Sequence, residues 1–300
     1  MAKDNIKRIR IQEREPIQIH PEAEVTLIRQ GRYYAEVMYM ARLAVARVRK
    51  LNKDEYVVLS TGEIKNYESS TGKQQEALRR TFQELRYVIR TNFSSTDKYQ
   101  KFITLTYVEN MTDKDRLYVD FKAFIKRLQR HCKAHPLVYI VVAEPQERGA
   151  WHMHLMLKST EPGLWIDKDK LTKIWRHGYT EIEQLKGDDC ANYYTAYFTS
   201  ISLEAREFTN AVAKPETGSK AYVKGGRLGY YPKGFKFYRC SQNIERPTRE
   251  QIEYWRTLDE FGKPKKKKAH ELLKEFEAEA EAKGVNFIQR ESFKKANKEG

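Results

Sequence analysis

The sequence predicts an α+β fold: a central antiparallel sheet of about five strands, with helices packed on one face. Three segments carry this prediction. Lys101–Val108 alternates with period two, which is typical of a strand with one buried face. Leu137–Glu144 is almost entirely apolar, as in an interior strand. Trp151–Lys158 follows a turn at Gln146–Gly149 and is expected to return as the second strand of a hairpin.

The segments around this hairpin predict the helices and the remaining strands. Helices are expected at Asp113–Lys133, at Asp167–Arg176, and from Asp188, which can cap its first turn, to about Ser200. Further strands are expected at Tyr179–Leu185 and Phe235–Cys240. Together these elements give the order strand, helix, hairpin, helix, strand and helix.

The N-terminal third is less regular. Strands are expected at Val25–Ile28 and Tyr56–Leu59, and a loop at Asn66–Lys73. Ala41–Arg49 and Gln74–Arg90 are expected to be helical, the second because its apolar residues recur at helical spacing.

The C-terminal region predicts a short helix at Arg249–Leu258, a lysine-rich linker at Lys263–Lys268 and an acidic helical tail around Glu271–Lys283. The chain is therefore expected to have three regions: an N-terminal accessory region (1–95), a central domain that carries the candidate site (96–247), and a helical, lysine-rich extension (248–300).

The composition indicates a polyanionic partner. The 300 residues include 56 Lys and Arg against 41 Asp and Glu, so the formal net charge is +15. Such a surface attracts nucleic acid, whereas simple solubility is the alternative explanation. The 19 tyrosines and 13 phenylalanines favour nucleic acid, since aromatic rings can stack on bases.

Other features exclude several classes of protein. Cys132, Cys190 and Cys240 form no Cys-x-x-Cys pair, so neither a zinc ribbon nor a disulfide framework is predicted. No apolar run approaches the ~18 residues of a membrane span, and the N-terminus lacks the apolar run of a signal peptide. A cytoplasmic protein without a membrane partner is expected.

The triplet His152-Met153-His154 lies within a predicted strand. Residues two apart in a strand share a face, so His152 and His154 bring two imidazoles together, each with a nitrogen for a divalent metal. The apolar residues between and around them point to the opposite face, toward a core. An ordinary pair of hydrogen-bonded or exposed histidines is the structural alternative.

Glu144 ends the preceding strand, eight residues before His152. An even hairpin register places Glu144 on the face of both histidines, whereas a one-residue bulge turns it away. Two imidazoles and a carboxylate suit Mg²⁺ or Mn²⁺ in a phosphate-handling enzyme, and zinc also fits this set. Glu147 is the competing carboxylate, and a surface charge is the structural alternative for Glu144.

Tyr193 and Tyr197 are four residues apart on a predicted helix and therefore share a face. A tyrosine hydroxyl can attack a phosphodiester and hold the cut 5′ end covalently, which conserves the bond energy for rejoining. A divalent metal would polarise the scissile phosphate. Packing on the core is the common alternative for tyrosines at this spacing.

Other polar residues are candidate DNA contacts. Thr104 and Thr106 share the strand face opposite the apolar residues of Lys101–Val108. The lysines of Lys263–Lys268 are expected to add salt-sensitive, nonspecific affinity. Three basic residues of the helix that follows the first strand are candidates for phosphate contacts: Lys122, Lys126 and Arg130. An ordinary polar surface is the alternative for each of them.

The combined order of these motifs resembles the HUH endonucleases, and among them the rolling-circle replication initiators of plasmids, phages and integrative elements. Phe102–Tyr107 looks like their first motif, Trp151–Leu157 like their second and Ala191–Tyr197 like their third. Trp175–Tyr179 and Ser241–Pro247 are weaker matches.

The resemblance covers about residues 100–247 and implies an RRM-like nuclease core. Its sheet would carry His152 and His154 as metal ligands, with Glu144 as the third. The tyrosine helix would lie beside the sheet. The implied activity is that of a metal-dependent DNA endonuclease and strand transferase.

The resemblance also assigns roles to the tyrosines. Tyr193 matches the nucleophile, and Tyr197 matches the second tyrosine, which can perform the terminating cleavage. Many relatives carry a lysine directly before the second tyrosine, where this chain has Ala196. Lys186 is the candidate substitute for that cation.

These roles describe a replication initiator that nicks single-stranded origin DNA at a hairpin or melted site and becomes joined to the 5′ end. The free 3′-OH would prime a host DNA polymerase, with a host helicase for unwinding, and rejoining would close the displaced strand. The alternatives are a relaxase or transposase with the same chemistry, a noncatalytic DNA-binding regulator, and a two-histidine phosphoesterase. A homodimer and a monomer both stay open.

Overall fold

The computed structural model describes residues 6–42, 48–52, 54–66, 71–94, 97–146, 148–186, 189–199, 201–202, 222–223, 226–276 and 283–295. The chain divides into two compact units, one of Met1–Ser70 with Pro247–Gly300 and the other of Thr71–Arg246. This division differs from the three predicted regions, because both ends of the chain contribute strands to one sheet.

The secondary structure follows the chain in three groups. The first group is β1 (Ile6–Arg14), β2 (Glu24–Gln30), β3 (Tyr34–Arg42), β4 (Val48–Lys50), β5 (Glu55–Val58) and β6 (Ile64–Asn66). The second is α1 (Thr71–Asn92), β7 (Lys101–Leu105), α2 (Lys114–His131), β8 (Leu137–Pro145), β9 (Trp151–Ser159), α3 (Lys168–Trp175), β10 (Thr180–Gln184), α4 (Cys190–Thr199), β11 (Ile201–Ser202), β12 (Tyr222–Val223), a 3₁₀ turn (Gly226–Tyr230) and β13 (Tyr238–Cys240). The third is β14 (Thr248–Glu253), α5 (Tyr254–Phe261), β15 (Lys266–Phe276) and β16 (Lys283–Lys294).

The second unit is built on a five-stranded sheet in the order β10-β7-β9-β8-β13. Every neighbouring pair in this sheet is antiparallel. The α+β class and the antiparallel central sheet are therefore confirmed. β9 lies at the centre, so the strand that carries both histidines has a hydrogen-bonded neighbour on each side.

Helices cover both faces of this sheet, not the single face expected from the sequence. Leu105 and Met153 share one core with α2 and α3, whereas Phe102 and Met156 share the other with α1 and α4. The cause lies in β8, which is apolar at nearly every position and so presents a hydrophobic surface on both sides.

The first unit contains a six-stranded sheet in the order β1-β15-β16-β3-β2-β14. Its core joins residues of β2, β3 and β16 to Phe261 of α5. The expected helical tail is wrong within the described residues, since β15 and β16 are strands. Pairing of β16 with both β15 and β3 supplies backbone hydrogen bonds that override the local helical composition.

Three smaller expectations also change in this region. Ala41 and Arg42 end β3 and Val48 begins β4, so Ala41–Arg49 is not a helix, and residues 43–47 lie outside the described residues. Thr248–Glu253 is a strand, so the expected C-terminal helix begins only at Tyr254. The second half of the lysine run belongs to β15.

The N-terminal end of α1 also differs from the expected loop. Helix α1 begins at Thr71, whereas residues 67–70 lie outside the described residues. Among the described helices, none is both long and apolar enough to cross a membrane.

Candidate nucleic-acid processing site

The β8–β9 hairpin gathers Glu144 and the two histidines on one face. Glu144 lies directly opposite His152, and His154 lies opposite Val142. Opposed residues of antiparallel strands share a face, so the hairpin has the even register that the sequence left open. Glu147, the competing carboxylate, lies outside the described residues.

His154 is completely buried and held through both ring nitrogens. Its Nδ1 lies 3.2 Å from the Thr104 hydroxyl, and its Nε2 contacts the Glu144 carboxylate. The ring also stacks on Phe102, with centroids 5.3 Å apart. Burial lowers the pKa of His154 to about 3, so the imidazole is neutral at pH 7 and its contact with Glu144 is a hydrogen bond.

His152 offers a nitrogen that is not used within the protein. Its Nδ1 lies 3.2 Å from the Gln146 amide nitrogen, whereas its Nε2 is buried without a hydrogen-bond partner. Burial, followed by the nearby His154 and Arg148, lowers the pKa of His152 to about 4. A neutral imidazole with a buried, unpartnered nitrogen is the donor that a divalent metal requires.

Glu144 has a second partner that sequence reasoning missed. The guanidinium of Arg227, from the 3₁₀ turn, forms an ion pair with the other carboxylate oxygen, and both side chains are largely buried. Arg227 comes from a Gly- and Lys-rich segment without periodicity, so no sequence pattern singled it out.

The ligand set therefore fits a metal by chemistry and by face, while Glu144 is held by other groups. Within the described part of the chain, no three His, Cys, Asp or Glu side chains are placed so as to hold a metal ion. Two neutral imidazoles and a carboxylate on one face are nevertheless the donors that Mn²⁺ or Zn²⁺ accepts. Metal binding would require the Glu144 carboxylate to leave Arg227 or His154.

Helix α4 lies over the same face of the sheet. The carboxylate of Asp189 accepts the Asn192 N–H at 3.2 Å and pairs with Arg90 of α1, which fixes the start of the helix. The predicted cap, Asp188, lies outside the described residues. Asp189 therefore supplies the cap that was expected one residue earlier.

The candidate tyrosines are on the open side of α4. Tyr193 and Tyr197 are 45% and 42% exposed, whereas Tyr194 is buried and stacks on Phe102. The core-packing alternative thus applies to Tyr194 and not to the two candidates. The Tyr197 ring stands edge-on to the His154 ring, with centroids 5.3 Å apart.

Lys186 lies on the Tyr193 side of this helix. Its ammonium is 2.6 Å from the Glu183 carboxylate, and its backbone N–H donates to the Tyr194 hydroxyl. The hydrogen bond to Glu183 raises the pKa of Lys186, and electrostatic interaction with Tyr193 contributes to the shift. The cation that could replace the missing lysine therefore lies near the first tyrosine.

Residues 100–201 match a family model of replication-associated proteins, the ORF2 family. The matched segment is roughly one third of the chain and contains both histidines, Glu144 and both tyrosines. This match supports a replication-associated protein. No curated protein and no solved structure matches the chain.

Not every predicted contact residue lies with the histidines. Thr104 shares their face, and its hydroxyl orients His154. Thr106 follows β7, where its carbonyl accepts a hydrogen bond from the Trp175 indole at 3.0 Å. The three basic residues of α2 are exposed on a helix that packs against the opposite face of the sheet: Lys122, Lys126 and Arg130.

Proposed function

We propose that this protein is a replication initiator of the HUH type, which nicks single-stranded origin DNA with a tyrosine nucleophile and a divalent metal. One observation carries the proposal. His152, His154 and Glu144 share a strand face beneath the exposed Tyr197 ring, all within the segment that matches a replication-associated family model. The same arrangement supports membership of the HUH superfamily.

His152 and His154 would hold Mg²⁺ or Mn²⁺, with Glu144 as the third ligand. The metal, when bound, would polarise the scissile phosphate and stabilise charge on the transition state. Thr104 orients the ring of His154, and the surrounding aromatic core keeps that ring neutral. Arg227 neutralises Glu144 while no metal is bound.

The reaction is a transesterification. The hydroxyl oxygen of a tyrosine attacks the phosphorus, its proton is lost to solvent, and the bond from phosphorus to the 3′ oxygen breaks. The 3′ oxygen takes up a proton, and the 5′ phosphate stays on the tyrosine. The free 3′-OH primes a host DNA polymerase, with unwinding by a host helicase, and the reverse reaction rejoins the strand.

The test is a covalent adduct on a denaturing gel after incubation with single-stranded DNA from the origin region and Mn²⁺. Tyr193→Phe is expected to abolish the first cleavage, and Tyr197→Phe the second. Tyr194→Phe is the matched control, because it removes a hydroxyl from the same helix but from its buried side. No adduct with any divalent metal would exclude the nicking activity. An adduct that is lost only in Tyr197→Phe would reverse the roles of the tyrosines.

The noncatalytic DNA-binding regulator is the second candidate, and one observation favours it. Glu144 is engaged by Arg227 and His154, so the three ligands are not arranged around a common point. A regulator would bind single-stranded DNA without forming an adduct. It would also keep that affinity when Tyr193 and Tyr197 are both changed to phenylalanine.

A further inference from the structure

An exposed tyrosine lies in the same cross-strand row as the candidate metal ligands. Glu144 is opposite His152 in the hairpin, and the pairing of β9 with β7 continues to Thr106, which follows the Leu105–Met153 pair. The Thr106 N–H donates to the carbonyl of Tyr179 at 2.9 Å. The row therefore runs from Glu144 through His152 and Thr106 to Tyr179. Two strand spacings, about 10 Å, separate the backbone of Tyr179 from that of His152.

Tyr179 points to the face of the histidines. Thr180, the next residue, faces the other core, where its hydroxyl lies 2.6 Å from that of Thr172 in α3. Glu181 pairs with Thr104, which in turn pairs with His154. Because side chains alternate along a strand, Tyr179 shares the face of Glu181.

The ring is open to solvent and has an apolar neighbour. Tyr179 is 70% exposed and Val108 is 73% exposed, compared with less than half for Tyr193 and Tyr197. Val108 follows β7, and its N–H donates to the His177 carbonyl at 3.0 Å. Tyr179 and Val108, here called the Tyr179 platform, flank Thr106 at the end of β7. An aromatic ring left uncovered beside a candidate site offers a stacking surface.

The backbone beneath this platform is tightly fixed. A Cβ on Gly178 would lie 2.2 Å from the Thr106 carbonyl oxygen, so only glycine permits this approach of the two chains. The Trp175 indole binds the same oxygen, and Trp175 itself is buried in the core. A ring on a rigid support loses little conformational freedom when a partner stacks on it.

The charges around the platform favour a base over the sugar-phosphate backbone. Glu181 is exposed two residues along the same face, and its carboxylate would repel a phosphate. A carboxylate can instead accept hydrogen bonds from the amino groups of bases. We propose that the Tyr179 platform stacks an unpaired base of single-stranded DNA next to the cut site. This inference rests on the proposed function, because the cut site is defined by the histidines and tyrosines.

The experiment measures binding of a labelled, mixed-sequence single strand by fluorescence anisotropy in EDTA, so that no cleavage occurs. Tyr179→Ala is expected to weaken binding about tenfold, and Tyr179→Phe to retain wild-type affinity because the phenyl ring still stacks. Trp165→Ala is the matched control, since Trp165 is 77% exposed beside Lys101, at the opposite end of β7. Wild-type affinity in Tyr179→Ala, or equal losses in the alanine and phenylalanine variants, would overturn the proposal.

A second measurement identifies the contact directly and does not depend on a folded variant. Single strands that carry 5-iodouracil are photocrosslinked to the wild-type protein, and the modified peptide is mapped. Crosslinks at Tyr179 support stacking, whereas crosslinks confined to other aromatic residues contradict it. The adduct assay separates the two proposals: a Tyr179 effect without any adduct leaves the platform and removes the nicking activity, and normal adducts without a Tyr179 effect do the reverse.

Discussion

Substitution of Gly178 by alanine is expected to destabilise the unit of Thr71–Arg246 strongly. The added Cβ would lie 2.2 Å from the Thr106 oxygen, 2.7 Å from the Val108 nitrogen and 2.9 Å from the Tyr107 carbonyl carbon. All three are backbone atoms, so no side-chain rotation relieves the overlap. The end of β7 would have to move away from the segment that joins α3 to β10.

Two costs add at this position. Overpacking costs about 1–3 kcal/mol, and a side chain at φ +156° costs about 1–3 kcal/mol in backbone conformation. The expected loss in the free energy of unfolding is therefore about 2–6 kcal/mol. At about 2–4 °C per kcal/mol for a unit of this size, the midpoint of thermal unfolding should fall by about 4–24 °C.

Urea denaturation followed by tryptophan fluorescence measures this loss, with the buried Trp175 as a nearby reporter. Gly163→Ala is the matched control, because Gly163 has φ +82° and no atom within 4 Å of an added Cβ. It should lose only the conformational cost, about 1–2 kcal/mol. If Gly178→Ala loses no more than Gly163→Ala, the close approach does not stabilise the fold as argued.

Three further predictions concern the site itself. Arg227→Gln should cost the metal-free protein about 3–5 kcal/mol by leaving Glu144 buried without its partner, and adding Glu144→Gln should recover much of it in urea denaturation; additive losses would mean that the pair is not coupled. Thr104→Val should weaken Mn²⁺ binding, measured calorimetrically, about 10–100-fold because His154 loses its orienting hydroxyl, whereas Thr104→Ser should keep wild-type affinity. Neutralising the basic residues of α2 should leave adduct formation on short single strands unchanged, because that helix packs on the other face of the sheet, and a loss of adduct would place DNA there: Lys122, Lys126 and Arg130.

The central hairpin was predictable because its signals are local. Strands β8 and β9 are long and apolar, and period-two alternation assigns His152 and His154 to one face without knowledge of their neighbours. The position of Glu144 depended on one quantity that sequence does not give, the hairpin register. The structure supplies that register and with it the ligand face.

The C-terminal strands could not be predicted, because their stability comes from distant partners. β16 lies between β15 and β3, and the β3 residues that pair with it are roughly 250 positions earlier in the chain. Composition rich in Glu, Lys and Ala favours a helix locally, but pairing on both edges outweighs that preference. Arg227 escaped notice for the same reason, since only the fold brings the 3₁₀ turn to Glu144.

The roles of the two tyrosines follow from what each is connected to. Residues four apart on a helix are offset by about 6 Å along its axis, so the hydroxyls of Tyr193 and Tyr197 serve neighbouring positions on one strand of DNA. The backbone carbonyl of Tyr197 lies 3.5 Å from Arg227, the residue that holds Glu144. Metal binding that releases Glu144 would therefore alter the end of α4 that carries Tyr197. Tyr193 lies one turn away beside Lys186, whose charge would stabilise its tyrosinate, and this connection supports Tyr193 as the first nucleophile.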